Sequence, residues 1–219
     1  MLNVAVLCSK RAPGLDALLA CPEANVVAVI TTDESASIET GGVPLIVHHV
    51  TRDRARRQMH DAALAALLTS LDIDLVICLG YLFVLTEPML RAFPQRIVNI
   101  HDGDGRFPGL HATRDAIVAN EAVTRSRLHI VDETLDGGPV LFVSKPYPVA
   151  PFVHEAVRAG ETKIVKAYAY AHREWMIRDA WPPLLAQLIA SVGRRQSCGS
   201  PLGTHETPAG LPAPHEVVS

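Results

Sequence analysis

Short apolar runs alternate with segments of helical periodicity over most of the chain. Leu2–Cys8, Val26–Thr31 and Asp74–Gly80 are apolar on both faces, which is typical of buried parallel strands. Leu15–Ala20 and Arg52–Leu71 lie between them and repeat apolar residues at helical spacing. Strands that alternate with helices in this way predict an α/β fold with a doubly wound, mostly parallel sheet.

Weaker signals extend this pattern. Pro44–Val47 is a candidate short strand, and Val140–Tyr147 is a later one. Thr86 stands at the N-cap position of a short helix, with Glu87 and Pro88 in its first turn. Each of these elements continues the alternation of strand and helix, so a single α/β domain is the expected organisation.

The C-terminal part of the chain changes character twice. A long helical stretch runs from about Glu155 to Ala190, and we expect Trp181-Pro182-Pro183 to break it before it resumes, because proline removes a backbone donor. From Gly193 to Ser219 the sequence turns to glycine, proline, serine and threonine. We therefore predict one domain over residues 1–192, closed by a C-terminal helix, and a disordered tail over residues 193–219.

Composition narrows the possible roles. The chain has 219 residues, 48% of them hydrophobic, and a net charge of -3, so it can bury a large core and presents no basic surface for nucleic acid or membranes. Its four cysteines form no CxxC pair, which indicates reduced thiols. No secretory pattern or membrane-length apolar run is visible. We expect a cytoplasmic protein that acts on small molecules.

The strongest chemical signal is a polar pair on an apolar strand. In Ile97–His101, Asn99 and His101 are two residues apart, and the period of a strand turns both to the same face. Asp136 lies in a later loop, followed directly by Gly137, Gly138 and Pro139. Each residue alone is more often a satisfied polar group of a core. An amide, an imidazole and a carboxylate together suit carbonyl chemistry.

The surrounding motifs resemble those of the folate-dependent formyltransferases, most of all the glycinamide ribonucleotide transformylase branch. That family shows a strand that ends in a glycine and an aromatic residue, followed in order by FPxRxxNIH, PGLH, VHFVDE and LDxGP. The corresponding segments here are Gly80-Tyr81, Phe93–His101, Pro108–His111, His129–Glu133 and Leu135–Pro139. The likeness is most specific from Asp74 to Pro139, and it extends over residues 1 to about 190.

The resemblance implies a fold, a reaction and a formyl donor. The fold would be the formyltransferase variant of the Rossmann sheet, and the donor 10-formyltetrahydrofolate. Asn99 and protonated His101 would donate hydrogen bonds to the oxyanion, while Asp136 would orient His101 or hold the water that carries protons. The residues expected to line the folate pocket are Leu82, Phe83, Val84, Leu85, Val131, Asp132, Glu133, Leu135 and Asp136. Phe83 departs from the cation usual there in the family.

Two departures concern the acceptor. Where the family has a glycine-rich phosphate loop, this chain has Ser9–Gly14, which contains Pro13 and so lacks one N–H. Asp102 and Asp104 follow the candidate catalytic histidine, where the family is neutral. We hypothesise that either aspartate holds an amino group of the acceptor. The further residues that we assign to the acceptor are Lys10 and Arg11, for an anion at its far end, and Gly80. The alternative is that the aspartates only shape a solvated turn.

Several functions stay open at this stage. The chain could be a formyltransferase acting on an amine other than glycinamide ribonucleotide, a divergent purine-pathway transformylase, or a catalytically silent folate-binding relative. A hydrolase that releases formate from the same donor would keep the same three residues. His48, His49 and His60 fit no metal-site spacing, so no metal is expected. The oligomeric state is open, with a homodimer as one option.

Overall fold

The computed structural model describes residues 1–51 and 53–198, and a seven-stranded sheet forms its centre. The strand order is β3-β2-β1-β4-β5-β7-β8. The first five strands in this order are parallel, and β7 and β8 are antiparallel to their neighbours. β6 and β9 pair in a separate two-stranded sheet. The strands are β1 (Leu2–Cys8), β2 (Ala24–Thr31), β3 (Leu45–Val47), β4 (Leu75–Cys78), β5 (Ile97–His101), β6 (Val123–Thr124), β7 (Arg127–Ile130), β8 (Val140–Val143) and β9 (Tyr147–Pro148).

Helices cover both faces of this sheet. On one face α6 packs with α1, and Leu184, Leu185 and Leu188 of α6 are buried against β1 and β4. On the other face α2 and α3 bury Leu64 and Leu68. The helices are α1 (Leu15–Leu19), α2 (Arg54–Ser70), α3 (Glu87–Ala92), α4 (Ala112–Val118), α5 (Pro151–Arg158) and α6 (Thr162–Cys198). The prediction of a doubly wound, mostly parallel α/β sheet is confirmed.

The prediction that two prolines break the last helix is wrong. α6 continues through Pro182 and Pro183. The residues around them explain this, because Trp181 and Leu184 are buried in the core and packing on the sheet holds the helical path across the missing backbone donors. Trp181 itself is only 1% exposed.

Other element boundaries also differ from the prediction. The helical stretch expected from Glu155 onward is two helices, because Gly160 adopts a φ of 72° between α5 and α6. The single strand expected over Val140–Tyr147 is split into β8 and β9. α6 continues past residue 192 to Cys198, while residues 199–219 of the predicted tail lie outside the described residues, so the division into domain and tail stays a prediction. Arg52, which was expected to begin α2, also lies outside them.

Two local predictions meet unexpected contacts. Thr86 is the N-cap of α3, but its hydroxyl donates to the buried carboxylate of Asp61 at 2.6 Å instead of capping the helix. Met59 is one of the apolar residues at helical spacing in α2, yet it is 73% exposed. Burial raises the pKa of the Cys8 thiol to about 11, so this thiol is unreactive.

Within residues 1–51 and 53–198, each helix is too short or too polar to cross a bilayer.

Candidate active site

A cavity of about 170 Å³ opens at the carboxyl ends of β4 and β5. This is the region beside the reversal in strand order, where open α/β sheets bind ligands. One side of the cavity, which we call the apolar wall, is formed by Leu82–Leu85 together with Val131 and Leu135. A second group of lining residues, which we call the α6 end, consists of Asp102, Arg173 and Trp181.

In the same cavity the structure brings Asn99, His101 and Asp136 together, as the sequence predicts. Asn99 Nδ2 donates to Asp136 Oδ1 at 3.3 Å, and His101 Nδ1 lies 3.5 Å from Asp136 Oδ2. The backbone N–H of Gly109 donates to the same Oδ2 at 2.8 Å. Both contacts with Asn99 and His101 are long, as contacts within an active site often are before a ligand tightens them.

His101 is buried and faces oxygen atoms with both ring nitrogens. Nε2 lies 2.9 Å from the carbonyl oxygen of Phe107, opposite the Asp136 carboxylate at Nδ1. Only the doubly protonated ring can donate to both acceptors. The contact at Nδ1 is the longer of the two, so it is the one at which a ligand oxygen can replace the protein acceptor.

The loop that carries Asp136 is held by backbone contacts. Asp136 adopts a φ of 50°, a left-handed conformation that is unfavourable for most residues. Arg127 donates a hydrogen bond to its carbonyl oxygen. A Cβ on Gly138 would overlap the carbonyl of Ile130, so the loop returns to β7 only with glycine at this position. The carboxylate is thus fixed towards Asn99 and His101.

Sequence reasoning missed four residues that belong to this site. His129 Nε2 lies 3.3 Å from Asn99 Nδ2 and 3.7 Å from Asp136 Oδ1, and burial lowers its pKa so that its neutral form is favoured. Arg127 stands opposite His101 in the antiparallel pair of β5 and β7. Arg173 and Trp181 enter from α6. His129 had a signal in the sequence because it begins the HIVDE motif, whereas Arg173 and Trp181 reach the site through non-local contacts.

Most residues predicted for the folate pocket line the cavity. All of Leu82, Phe83, Val84 and Leu85 do so, although Leu82 is 55% exposed, and so do Val131, Asp132, Leu135 and Asp136. Glu133 does not. It lines a second groove of about 980 Å³, which shares Val84 and Leu85 with the cavity.

The structure contradicts the prediction that Asp102 presents a free charge to a ligand. Its side chain is only 4% exposed, and Oδ1 accepts hydrogen bonds from Ser126 Oγ at 2.7 Å and Trp181 Nε1 at 2.8 Å. Arg173 Nε lies 3.0 Å from Oδ2 and forms an ion pair with it. A buried carboxylate needs such partners. Asp102 therefore anchors α6 at the edge of the cavity.

Asp104 likewise does not face the cavity. It is exposed, and its Oδ2 lies 2.6 Å from Arg106 Nη2. Arg106 also reaches Glu121 at 2.8 Å. The residues after His101 therefore form a turn closed by an ion pair, which corresponds to the alternative of a solvated turn. The two aspartates are balanced by arginines, and the acidic loop expected from the sequence has little net charge.

The cations of the first loop are paired within the protein. Arg11 donates both terminal nitrogens to Glu174, at 2.7 and 3.2 Å, and these hydrogen bonds lower the pKa of Glu174. Lys10 Nζ lies 3.8 Å from Asp33. Neither residue lines the cavity. Gly80 does, with a φ of 74°, and a Cβ at this position would lie 3.4 Å from the backbone oxygen of Arg11, so the first loop passes close to the strand end.

Comparison with known proteins points to one family. The formyl transferase family model matches residues 2–168. Phosphoribosylglycinamide formyltransferase of Mycobacterium tuberculosis is 30% identical over 162 residues, which are 70% of this chain and 74% of that protein. The trifunctional purine biosynthetic protein adenosine-3 of Drosophila melanogaster is 32% identical over 162 residues, but the chain spans only 12% of its length.

Solved structures give the same result for the fold. Glycinamide ribonucleotide transformylase 1 from Symbiobacterium toebii superposes with a TM-score of 0.65 and 28% identity, covering 87% of this chain and 89% of that one.

Proposed function

This chain belongs to the formyl transferase family, and from that premise we propose that it transfers a formyl group from 10-formyltetrahydrofolate to an amino group of a small-molecule acceptor. The observation that carries the proposal is the convergence of Asn99, His101 and Asp136 between an apolar wall and a polar α6 end. Such a cavity offers a flat ring an apolar surface and offers its reactive group the three polar side chains.

The residues of the apolar wall fit the donor. Leu82–Leu85 and the backbone of residues 131–136 would hold the pterin ring, and the donor supplies an electrophilic formyl carbon. Negative charge develops on the formyl oxygen when an amine attacks. Asn99 Nδ2 and a ring N–H of His101 can donate to this oxygen, in a site shielded from water by buried neighbours.

Asp136 has two tasks in this proposal. Its carboxylate lies 3.5 Å from Nδ1 of the His101 ring and so orients the imidazole towards the cavity. It also accepts from Asn99, which orients the amide. The attacking nitrogen must lose a proton and the folate nitrogen must gain one, so a water molecule held by this carboxylate would complete the transfer.

We further propose that the acceptor is not glycinamide ribonucleotide. Backbone N–H groups of a glycine-rich first loop would be needed for its phosphate, and Pro13 has none to offer. The cations of that loop are engaged by Glu174 and Asp33. A divergent purine-pathway transformylase is the alternative, and offering glycinamide ribonucleotide to the enzyme separates the two.

The test combines binding with turnover. The protein is given 10-formyltetrahydrofolate and a panel of amines that includes glycinamide ribonucleotide, and both tetrahydrofolate and formylated products are followed by mass spectrometry. We expect a formylated amine from the wild type and almost none from Asp136→Asn, which should still bind tetrahydrofolate in calorimetry. Formate as the sole product would indicate a hydrolase. Absence of tetrahydrofolate binding would contradict the proposal.

A further inference from the structure

We propose that Arg173 binds a carboxylate of the acceptor, so that the amine that receives the formyl group belongs to an amino acid or another small amino carboxylate. The inference rests on the proposed function, because it names the substrate class of the same cavity. It differs from the hypothesis drawn from the sequence, which placed an anion at Lys10 or Arg11 and an amine at Asp102 or Asp104.

Arg173 presents an unused edge to the cavity. It lies on α6 and lines the α6 end, with 31% of its side chain exposed. Its Nε faces Asp102 at 3.0 Å, and within residues 1–51 and 53–198 its two terminal nitrogens form no hydrogen bond. A guanidinium carries five donors in a fixed plane, and such an open edge matches the two oxygens of a carboxylate.

The position of Arg173 is fixed by a buried support. Its Nε forms an ion pair with Asp102 Oδ2 that is not aligned as a hydrogen bond, and Asp102 is itself held by Ser126 and by the indole of Trp181, which is only 1% exposed. The support is therefore made before any ligand arrives, and little side-chain entropy is lost on binding. An arginine anchored in this way has a defined geometry, unlike an arginine on a solvated surface.

Nearby cations do not compete for this role. Arg11 is bidentate with Glu174, Lys10 pairs with Asp33, and Arg106 is shared by Asp104 and Glu121. Each of these three is at least half exposed or outside the cavity lining. Arg127 is turned to the backbone of Asp136. Among the residues that the structure describes, Arg173 is thus the arginine of the cavity lining whose terminal nitrogens are open to a ligand.

A carboxylate fits this end better than a phosphate. A phosphate dianion is usually held by several backbone N–H groups and side chains. In the family a loop supplies these N–H groups, but the corresponding loop of this chain contains Pro13. One guanidinium, partly balanced by Asp102, suits a single negative charge. Arg173 and the Asn99–His101–Asp136 group line the same cavity of about 170 Å³, so only a few atoms separate the carboxylate from the reacting amine.

The experiment compares matched pairs of acceptors. Wild-type enzyme with 10-formyltetrahydrofolate receives glycine, β-alanine, serine and anthranilate, each paired with its carboxamide, and glycinamide ribonucleotide as the phosphate-bearing arm. The variants are Arg173→Gln and Arg173→Lys. The matched control is Arg178→Gln, because Arg178 lies on the same helix, is exposed and does not line the cavity.

We expect at least one free acid to be formylated and its carboxamide to be a poor acceptor. Arg173→Gln should raise the KM of that acid on the order of ten- to a hundredfold, since a charged hydrogen-bonding pair is lost, while the KM of the donor changes less than about twofold. Arg173→Lys should restore part of the loss. The carboxamide should respond weakly to either variant, and Arg178→Gln should resemble the wild type.

Several outcomes would overturn the inference. They are equal use of acids and carboxamides, efficient use of glycinamide ribonucleotide, or the same KM for the acid in Arg173→Gln as in the wild type. If no amine of the panel is formylated, calorimetry with tetrahydrofolate present decides: binding of anthranilate that Arg173→Gln abolishes supports the inference, and no binding overturns it. Intact tetrahydrofolate binding in these cases leaves the proposed function standing, whereas its absence removes both.

Discussion

The apolar wall and the α6 end of the cavity are built by different means. The apolar wall comes mainly from one continuous segment, Leu82–Leu85, between β4 and α3. The α6 end joins residues that are far apart in the chain, since Trp181 meets Asp102 and Arg173 meets the same carboxylate. Under the proposed function, donor binding would depend mainly on one short segment of the sequence, whereas acceptor recognition would depend on how α6 packs on the sheet.

This contrast bears on how specificity can change in the family. Replacing residues on α6 alters the acceptor end and leaves the catalytic strand β5 untouched, because Asn99 and His101 come from the sheet. The apolar wall is tied to α3 and to the loop of Asp136, so a change there disturbs donor and catalysis together. The predictions below test whether the two ends are as separable as their construction suggests.

The largest effect on turnover is expected for the three polar residues that would contact the reacting group. Asn99→Ala, His101→Ala and Asp136→Ala should each lower kcat on the order of a hundredfold or more, because their interactions strengthen only as charge develops. The KM of the donor should change little, and the three losses should not add, since the side chains act as one unit. Steady-state kinetics of single and double variants measure this, and near-normal turnover in any of the three would remove that residue from the site.

A large loss of stability is expected from the support of the α6 end. Asp102→Ala removes the acceptor of Ser126 and Trp181 and leaves Arg173 without its partner, which should cost about 3 kcal/mol of unfolding free energy. Asp104→Ala, the exposed neighbour, should cost less than about 1 kcal/mol. Urea unfolding of both variants gives the comparison, and equal losses would show that Asp102 is no anchor.

A moderate loss of activity is expected for Arg127→Met. The methionine keeps the buried stem but cannot donate to the Asp136 carbonyl, so the loop should lose its fixed geometry. We expect kcat to fall roughly tenfold with little change in the KM of the donor, because Arg127 positions Asp136 without contacting the apolar wall. Arg127→Lys should recover part of the rate. A change in donor KM alone would assign Arg127 to the donor side instead.

A pH effect is expected behind the α6 end, where His172 lies buried beside Arg173. Burial lowers the pKa of His172 below its ordinary value of 6.5, and Thr124 Oγ1 lies 2.7 Å from Nε2. In the unfolded chain His172 therefore binds a proton near pH 6.5, whereas in the folded protein it binds the proton only at a lower pH. The stability contributed by neutral His172 is complete above pH 6.5 and is lost as the pH falls towards its folded pKa.

The measurement is unfolding free energy between pH 7.5 and about 5.5, with the range chosen around the ordinary histidine value. His172→Gln should show a smaller drop than the wild type, by at most about 1.4 kcal/mol per pH unit. The exposed His111 provides the control, and His111→Gln should follow the wild-type curve. Parallel curves for wild type and His172→Gln would show that His172 titrates alike in both states.

The smallest effect is expected in the first loop. Lys10→Ala should change the acceptor KM less than about twofold, because this exposed lysine pairs with Asp33 away from the cavity. Arg11→Ala removes the ion pair with Glu174, and its effect on the acceptor KM should also be small. A tenfold increase in acceptor KM for Lys10→Ala would restore the hypothesis drawn from the sequence and move acceptor recognition from Arg173 to the first loop.

The sequence predicts what local patterns determine. Alternating strands and helices identify the sheet, and period two on β5 places Asn99 and His101 on one side. Asp136 can be identified from the sequence because the glycines that its tight loop needs follow it directly. The helix across Pro182 and Pro183 was missed, since packing of Leu184 and Trp181 outweighs the intrinsic preference of proline.

The charges around His101 were misjudged for a related reason. Neither the Trp181 donor of Asp102 nor its Arg173 partner is near in sequence, so the carboxylate looked free. Arg106, which neutralises Asp104, is only two residues away and could have been noticed. Ion pairs between distant segments need the folded chain to be found, and these pairs decide which charges a ligand meets.

Because Trp181 is hydrogen-bonded to Asp102, its fluorescence emission can report on ligand binding at the α6 end. The chain has two tryptophans, and Trp175 is 41% exposed against the ring of Tyr147, whereas Trp181 is buried with its indole at the α6 end. Trp175→Phe would leave a single emitter. The excited indole responds to the electric field around it, so a charged molecule that settles beside Arg173 should shift the emission of Trp181, while a neutral ring on the apolar wall should alter mainly its intensity.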